Sequence, residues 1–292
     1  MNVSVPARRS ASGFTLIELL IALVITAFVL GGITMAFYRT TSEALRLRDV
    51  TDRRQSARNA VQLIEREARM AGSGWGRIPV YGNNSAGQPV TLSAVTPGFT
   101  SIAADDSVML IGAWQVSTVV TDQMPSSSTN LKVQDVTGFN PNDLILVTNG
   151  LQANMVQVTS TNSSSQKIQC NSANPYNSPG GYKVSEGHWP PTGYGPGSIV
   201  EKLTISSYYM DRTSFSEPAL MRHEYGLSPQ VAAYNVDGFR VWYQMQNGTW
   251  TRDPKNMMQV QKVMPVVATR LSDPRRPALV DSVWAALRPR SF

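Results

Sequence analysis

The chain has 292 residues, 42% of them hydrophobic and 16% charged, so it holds enough apolar material for a sizeable core and is no disordered tail. Its one cysteine, Cys170, excludes an intramolecular disulfide and any Cys-x-x-Cys redox or zinc motif. The formal charge of +6 includes Arg8 and Arg9 near the N-terminus; the bias left over the remainder is mild and gives little support to a nucleic-acid partner.

From Leu19 to Tyr38 the chain runs 20 residues without a formal charge. A helix of that length reaches about 30 Å, the thickness of a bilayer core. A core helix of a soluble domain would keep a polar face, so the segment predicts a membrane span. A secretory signal would place its small-residue cleavage site after the apolar run. Here the small residues and Gly13 come first, so a cut after Gly13 leaves the helix on the mature chain, starting at Phe14. Glu18 stands at the head of the run. A carboxylate in a membrane helix costs about 2.5 to 3.5 kcal/mol, so it calls for a compensating group. Arg8 and Arg9 favour a cytoplasmic start, but Arg39, Arg46 and Arg48 follow the span and leave the positive-inside count open.

No proline occurs from Ala7 to Ile78, and glycines cluster at Gly72, Gly74 and Gly76, so the helix is expected to continue to about Met70. Gly31-Gly32 is its one weak point. Beyond the span, Leu47, Val50, Arg54, Ala57, Val61, Ile64 and Ala68 form a stripe in steps of three and four that predicts docking against a sheet. Arg46, Asp49, Arg53, Arg58, Glu65, Arg66 and Arg69 lie opposite and read as a solvated face, with pairing between subunits as the alternative.

From Ser107 onward, short apolar runs predict strands: SVMLIGAWQVSTVV, KVQDVTGF, DLILVTN, NMVQVTS, SIVEKLTISSYYM, FRVWYQM and VMPVVATRL. Asn140-Pro141 and Asn247-Gly248 mark turns. Residues 171–198 are too rich in proline and glycine for a strand or helix. The divisions are therefore a leader at 1–13, a helix at 14–70 with 14–38 in the membrane, and a β-rich head at 75–292.

Gly13-Phe14-Thr15-Leu16-Ile17-Glu18 before an apolar helix resembles the prepilin leader of type IV pilins and type II secretion pseudopilins. The resemblance implies an α+β, pilin-like fold: a long N-terminal α-helix, its first half transmembrane, packed on a large antiparallel β-rich head. It implies cleavage by a prepilin peptidase between Gly13 and Phe14, N-methylation of Phe14, and a role for Glu18 in subunit register and assembly. The partner of that carboxylate would be the new N-terminal amine of a neighbouring subunit. In the head, SYYMDRTSFSEPALMRHEYG and NVDGFRVWYQMQNGTW are similar to strands of PilW-type minor pilins, whereas the proline- and arginine-rich end, SDPRRPALVDSVWAALRPRSF, departs from a plain terminal strand. The implied partners are other minor pilins and the major pilin, the peptidase, the inner membrane and its pilus assembly platform. The implied location is the inner membrane with a periplasmic head, then the pilus at the cell surface. The alternatives are a J-type pseudopilin and, in a different class, a non-polymerising membrane-anchored receptor or enzyme.

No catalytic motif is present, so the expectation is a non-enzyme without cofactor or metal. His188 and His223, near Glu186 and Glu224, lack zinc-site spacing. Asp105-Asp106 and Asn140-Pro141-Asn142-Asp143 offer calcium-type oxygens but read as turns. Trp189, Tyr194, Trp250 with Arg252, and Trp284 with Arg288 and Arg290 are the aromatic and cationic candidates for DNA or glycan binding. Arg270, Arg275, Arg276, Arg288 and Arg290 form the best basic cluster.

Overall fold

The computed structural model describes residues 15–76, 78–99, 105–124, 130–177, 189–269, 279–282 and 285–287. The chain divides into two units, Met1–Asp52 and Arg53–Phe292. From Leu16 onward the first unit is helix alone. α1 (Leu16–Met70) runs unbroken through Gly31 and Gly32 and continues into the second unit. The expected long helix and β-rich domain are both present, an α+β fold.

Within the second unit α1 buries Ala57, Ala60, Val61, Ile64 and Ala68, the predicted stripe from Ala57 onward. Of the stripe's earlier positions, Arg54 in this unit is exposed, and in the first unit Leu47 is 68% exposed and Val50 half-buried. The helix stops where Gly72 takes φ +81°, a conformation open to glycine and costly for other residues. Gly74 is required by space as well, since a Cβ there would stand 2.3 Å from a Glu201 carboxylate oxygen and 2.8 Å from the Ala113 Cβ.

Strands follow in chain order: β1 (Val80–Asn83), β2 (Pro89–Leu92), β3 (Val95–Phe99), β4 (Asp106–Val119), β5 (Asn130–Lys132), β6 (Leu144–Thr148), β7 (Ala153–Gln157), β8 (Ser160–Asn162), β9 (Lys167–Gln169), β10 (Ile199–Asp211), β11 (Ala219–Glu224), β12 (Gln230–Tyr234), β13 (Val236–Met245), β14 (Trp250–Thr251), β15 (Val260–Thr269), β16 (Leu279–Ser282) and β17 (Ala285–Ala286). β10 is the hub of the largest sheet. β4 pairs along Ile199–Tyr208, while β6 takes Ile199–Lys202 and β11 takes Ser206–Asp211. Since one strand has two edges, β6 and β11 lie end to end on the edge opposite β4. The sheet continues through β7, β1 and β2 on one side and β12 on the other, and the β1–β7 pair is parallel in an otherwise antiparallel arrangement.

The second sheet has the order β14-β13-β15-β16, with β17 also on β15. β16 pairs with Val266–Thr269 and β17 with Lys262–Val263. Met264 and Pro265 separate the two pairings along β15. Residues 283 and 284, between β16 and β17, lie outside the described residues, as do the prolines and arginine pairs of the C-terminal departure noted in the sequence.

The head holds two cores. The larger joins the α1 stripe to Leu110, Leu146, Tyr208, Leu220, Phe239, Val263 and Val267. The smaller gathers Leu131, Val133, Phe139, Ile145, Val147, Val156, Ile168, Trp189 and Tyr194 beneath a three-stranded sheet of order β5-β9-β8. β6 sends Leu144 and Leu146 to one core and Ile145 and Val147 to the other, so all five of its residues are buried.

A buried ionic cluster ties α1 to the main sheet. Glu67 accepts from Tyr208 Oη at 2.7 Å and pairs with Arg222 at 2.7 Å; Arg222 also reaches Glu224 at 2.7 Å and Ser206 Oγ at 3.2 Å. Burial, with the Glu67 charge adding to it, pushes the Tyr208 phenol well above its ordinary range, so it remains a neutral donor.

Candidate assembly site

The first turn of a helix leaves N–H groups without intrahelical acceptors. In α1 those of Thr15 and Glu18 are served locally. Thr15 stands before the first helical residue, and both its N–H and its hydroxyl donate to Glu18 Oε2 at 2.9 Å. The Glu18 N–H in turn donates to Thr15 Oγ1 at 3.4 Å. This reciprocal arrangement is a capping box, and it gives the membrane-entering carboxylate a partner in its own chain. Reasoning on the sequence looked for that partner in a neighbouring subunit and missed Thr15, although the Thr-x-x-Glu spacing carries the signal. Gly13 and Phe14, the expected cleavage and methylation positions, lie outside the described residues.

Below the cap the helix hides its remaining polar side chains. Thr26, Thr34 and Thr40 donate their hydroxyls to the carbonyls of Ala22, Leu30 and Ala36, at 2.7, 2.8 and 2.9 Å. Every large apolar side chain from Leu16 to Tyr38 is exposed, Phe28 at 79% and Phe37 at 73%. The segment is long and apolar enough to cross a membrane. A cylinder apolar all round demands lipid or other helices as its surroundings. A Cβ built on Gly31 or Gly32 would meet nothing within 4 Å, so the pair forms an open notch beside Phe28 and Met35.

The other candidates are distributed through the head and are absorbed by its structure. Asp105 pairs with Arg212 and accepts the Phe239 N–H; Asp106 pairs with Arg252 and accepts the Val241 N–H at 2.8 Å. These carboxylates serve β13 where the two-residue β14 leaves its edge open, so their oxygens hold the two sheets together. Asp143 closes its turn on the Asn140 N–H at 2.8 Å and pairs with Lys202 at 2.9 Å. His223 is exposed on β11, and its neighbour Glu224 is engaged by Arg222 and Gln115.

Trp189 and Tyr194, candidates for DNA or glycan binding, are buried and unavailable to such a ligand. They are 1% and 0% exposed, stacked edge-to-face at 4.9 Å in the smaller core, and Tyr194 donates to Asn154 at 2.7 Å. Trp250 is 39% exposed, but its neighbour Arg252 is committed to Asp106. Cys170 is buried, and loss of solvent pushes its thiol up to about 12, far from a reactive thiolate. Glu186, His188, Arg270, Arg275, Arg276, Trp284, Arg288 and Arg290 lie outside the described residues. The site the chain does assemble is therefore the capped, apolar end of α1.

No curated protein matches the chain. Residues 8–34 match the family model of the prokaryotic N-terminal methylation motif, which takes in Gly13, Phe14, Thr15 and Glu18. With the exposed apolar helix, that match supports a type IV pilin-like or pseudopilin protein, implies processing by a prepilin peptidase and assembly with other pilins, and points to membrane anchoring.

Proposed function

We propose that the chain is a PilW-like minor pilin: a structural subunit, not an enzyme, that helps initiate, cap or assemble a type IV pilus. The observation that carries this reading is an unpartnered apolar helix whose N-terminal acid is held ready beside the processing motif. In the bilayer the Thr15 cap satisfies Glu18 within one chain. After cleavage, the free amine of Phe14 on a neighbouring subunit offers a positive charge that a hydroxyl and an amide cannot match, so packing of two helices draws Glu18 toward it and sets the axial register. Apolar packing supplies cohesion and the head supplies partner choice.

Glu18→Ala tests the role directly. The variant is expected to insert in the membrane as before and to drop out of surface filaments by about tenfold or more, read by immunoblot of sheared pili. Wild-type incorporation would overturn the register role. A J-type pseudopilin is the second reading, favoured by the size of the two-core head; recovery of secretion components in place of pilus components in a cross-linked complex would select it.

A further inference from the structure

The outward face of α1 within the head unit is an unusual surface. Arg54, Arg58 and Arg66 are exposed and make no ion pair among the described residues, and Arg69, at 59% side-chain exposure, is held by Glu65. Arg58, Arg66 and Arg69, with Gln55, Asn59 and Gln62, occupy the face opposite Ala57, Ala60, Val61, Ile64 and Ala68, Arg54 stands exposed at the edge of the buried stripe seven residues before Val61, and no apolar side chain falls between them. Arg54, Arg58, Gln62 and Arg66 recur every four residues, a rise of about 6 Å per step. All eight cations of α1 are arginine, and the first lysine of the chain is Lys132. A face selected only for solubility uses lysine as readily; a planar guanidinium fork is the group that takes a carboxylate with two hydrogen bonds.

We infer that this arginine face is a docking surface for the acidic face of a different pilin-like subunit. The inference rests on the pilin-like reading and names the chemistry of its partner. A second copy of this chain is disfavoured because it presents the same arginines and stays net positive once Arg8 and Arg9 leave with the leader. A nucleic acid is disfavoured because the face from Arg54 to Arg69 has no aromatic side chain to stack on bases and sets the Glu65 carboxylate among its cations. An acidic helix with glutamates or aspartates at every fourth position repeats at the same 6 Å and meets the arginines in register.

The test uses the full-length chain in detergent and three labelled probes: an alanine-based helical peptide with glutamate at every fourth position, a peptide of the same composition with its glutamates distributed around the helix, and a single-stranded oligothymidylate. At low ionic strength, fluorescence anisotropy is expected to show the in-register peptide binding about fivefold tighter than the distributed one, with the difference lost at about 0.5 M salt. The triple variant Arg54→Glu, Arg58→Glu, Arg66→Glu is expected to lose that preference while unfolding at the wild-type temperature; should it fold poorly, the salt titration on the wild-type chain decides alone. Equal binding of the two peptides, tighter binding of the oligonucleotide, or self-association in sedimentation that the triple variant abolishes would each overturn the inference. None of these results bears on the processing of Gly13-Phe14, which mass spectrometry of the N-terminus reads separately.

Discussion

Two stretches of one helix solve opposite problems. Leu16 to Tyr38 exposes every large apolar side chain and satisfies its polar groups within a turn of themselves, through the Thr15–Glu18 cap and the hydroxyls of Thr26 and Thr34. Ala57 to Ala68 buries small and branched side chains and carries one acid, Glu67, into the core against partners more than a hundred residues away. The first arrangement suits a segment whose surroundings are supplied by other molecules. The second belongs to a segment whose surroundings are folded around it.

That contrast predicts where substitution hurts. The largest effect is expected in the buried cluster: Arg222→Ala leaves the Glu67 carboxylate unpaired in the core and costs about 3 to 5 kcal/mol, read as a lowered urea midpoint for the head. An unchanged midpoint would show that the cluster is not the tie described. Glu18→Ala, in the other stretch, removes a carboxylate too and leaves the head's unfolding transition where it was, since among the described residues its side chain hydrogen-bonds with Thr15 alone.

A smaller effect of opposite sign is expected at Glu201, whose Oε2 is buried without a hydrogen-bond partner among the described residues. Burial holds this carboxyl above its ordinary value of 4.5, so its contribution to stability is fully present below pH 4.5 and is lost as the pH rises through the raised value. Glu201→Gln is therefore expected to raise the melting temperature at pH 7 by about 2 °C and to leave it unchanged at pH 4. A drop at pH 7 would mean that the charge has a partner. The smallest perturbation is chemical: Cys170 should resist thiol reagents at pH 8 in the folded head and label at once in urea, whereas fast labelling of the native protein would contradict its burial.

The anchor could be read from the chain because its rule is compositional: twenty uncharged residues, no proline, and an acid at its head. The long strands β4, β10, β13 and β15 announced themselves as apolar runs bounded by turn signals. β2 and β3 did not, because Pro89 begins one and Pro97-Gly98 lies inside the other; both are edge strands, where a missing N–H is tolerated. The two-core plan had one signal that went unused, the unbroken apolar run Leu144–Val147, which fits only a strand buried on both faces. The uses of Asp105, Asp106 and Glu67 had none, for each pairs with residues brought near only by the finished fold. Thr15 lay in plain view at capping-box spacing.

The central claim is that the working chain begins at Phe14, with Glu18 four residues in and a free amine for a neighbour's carboxylate. Mass spectrometry of the N-terminal peptide from membrane-extracted protein tests it most directly. The account predicts a chain cut after Gly13 with a methylated Phe14; an intact Met1 on the functioning protein would contradict it.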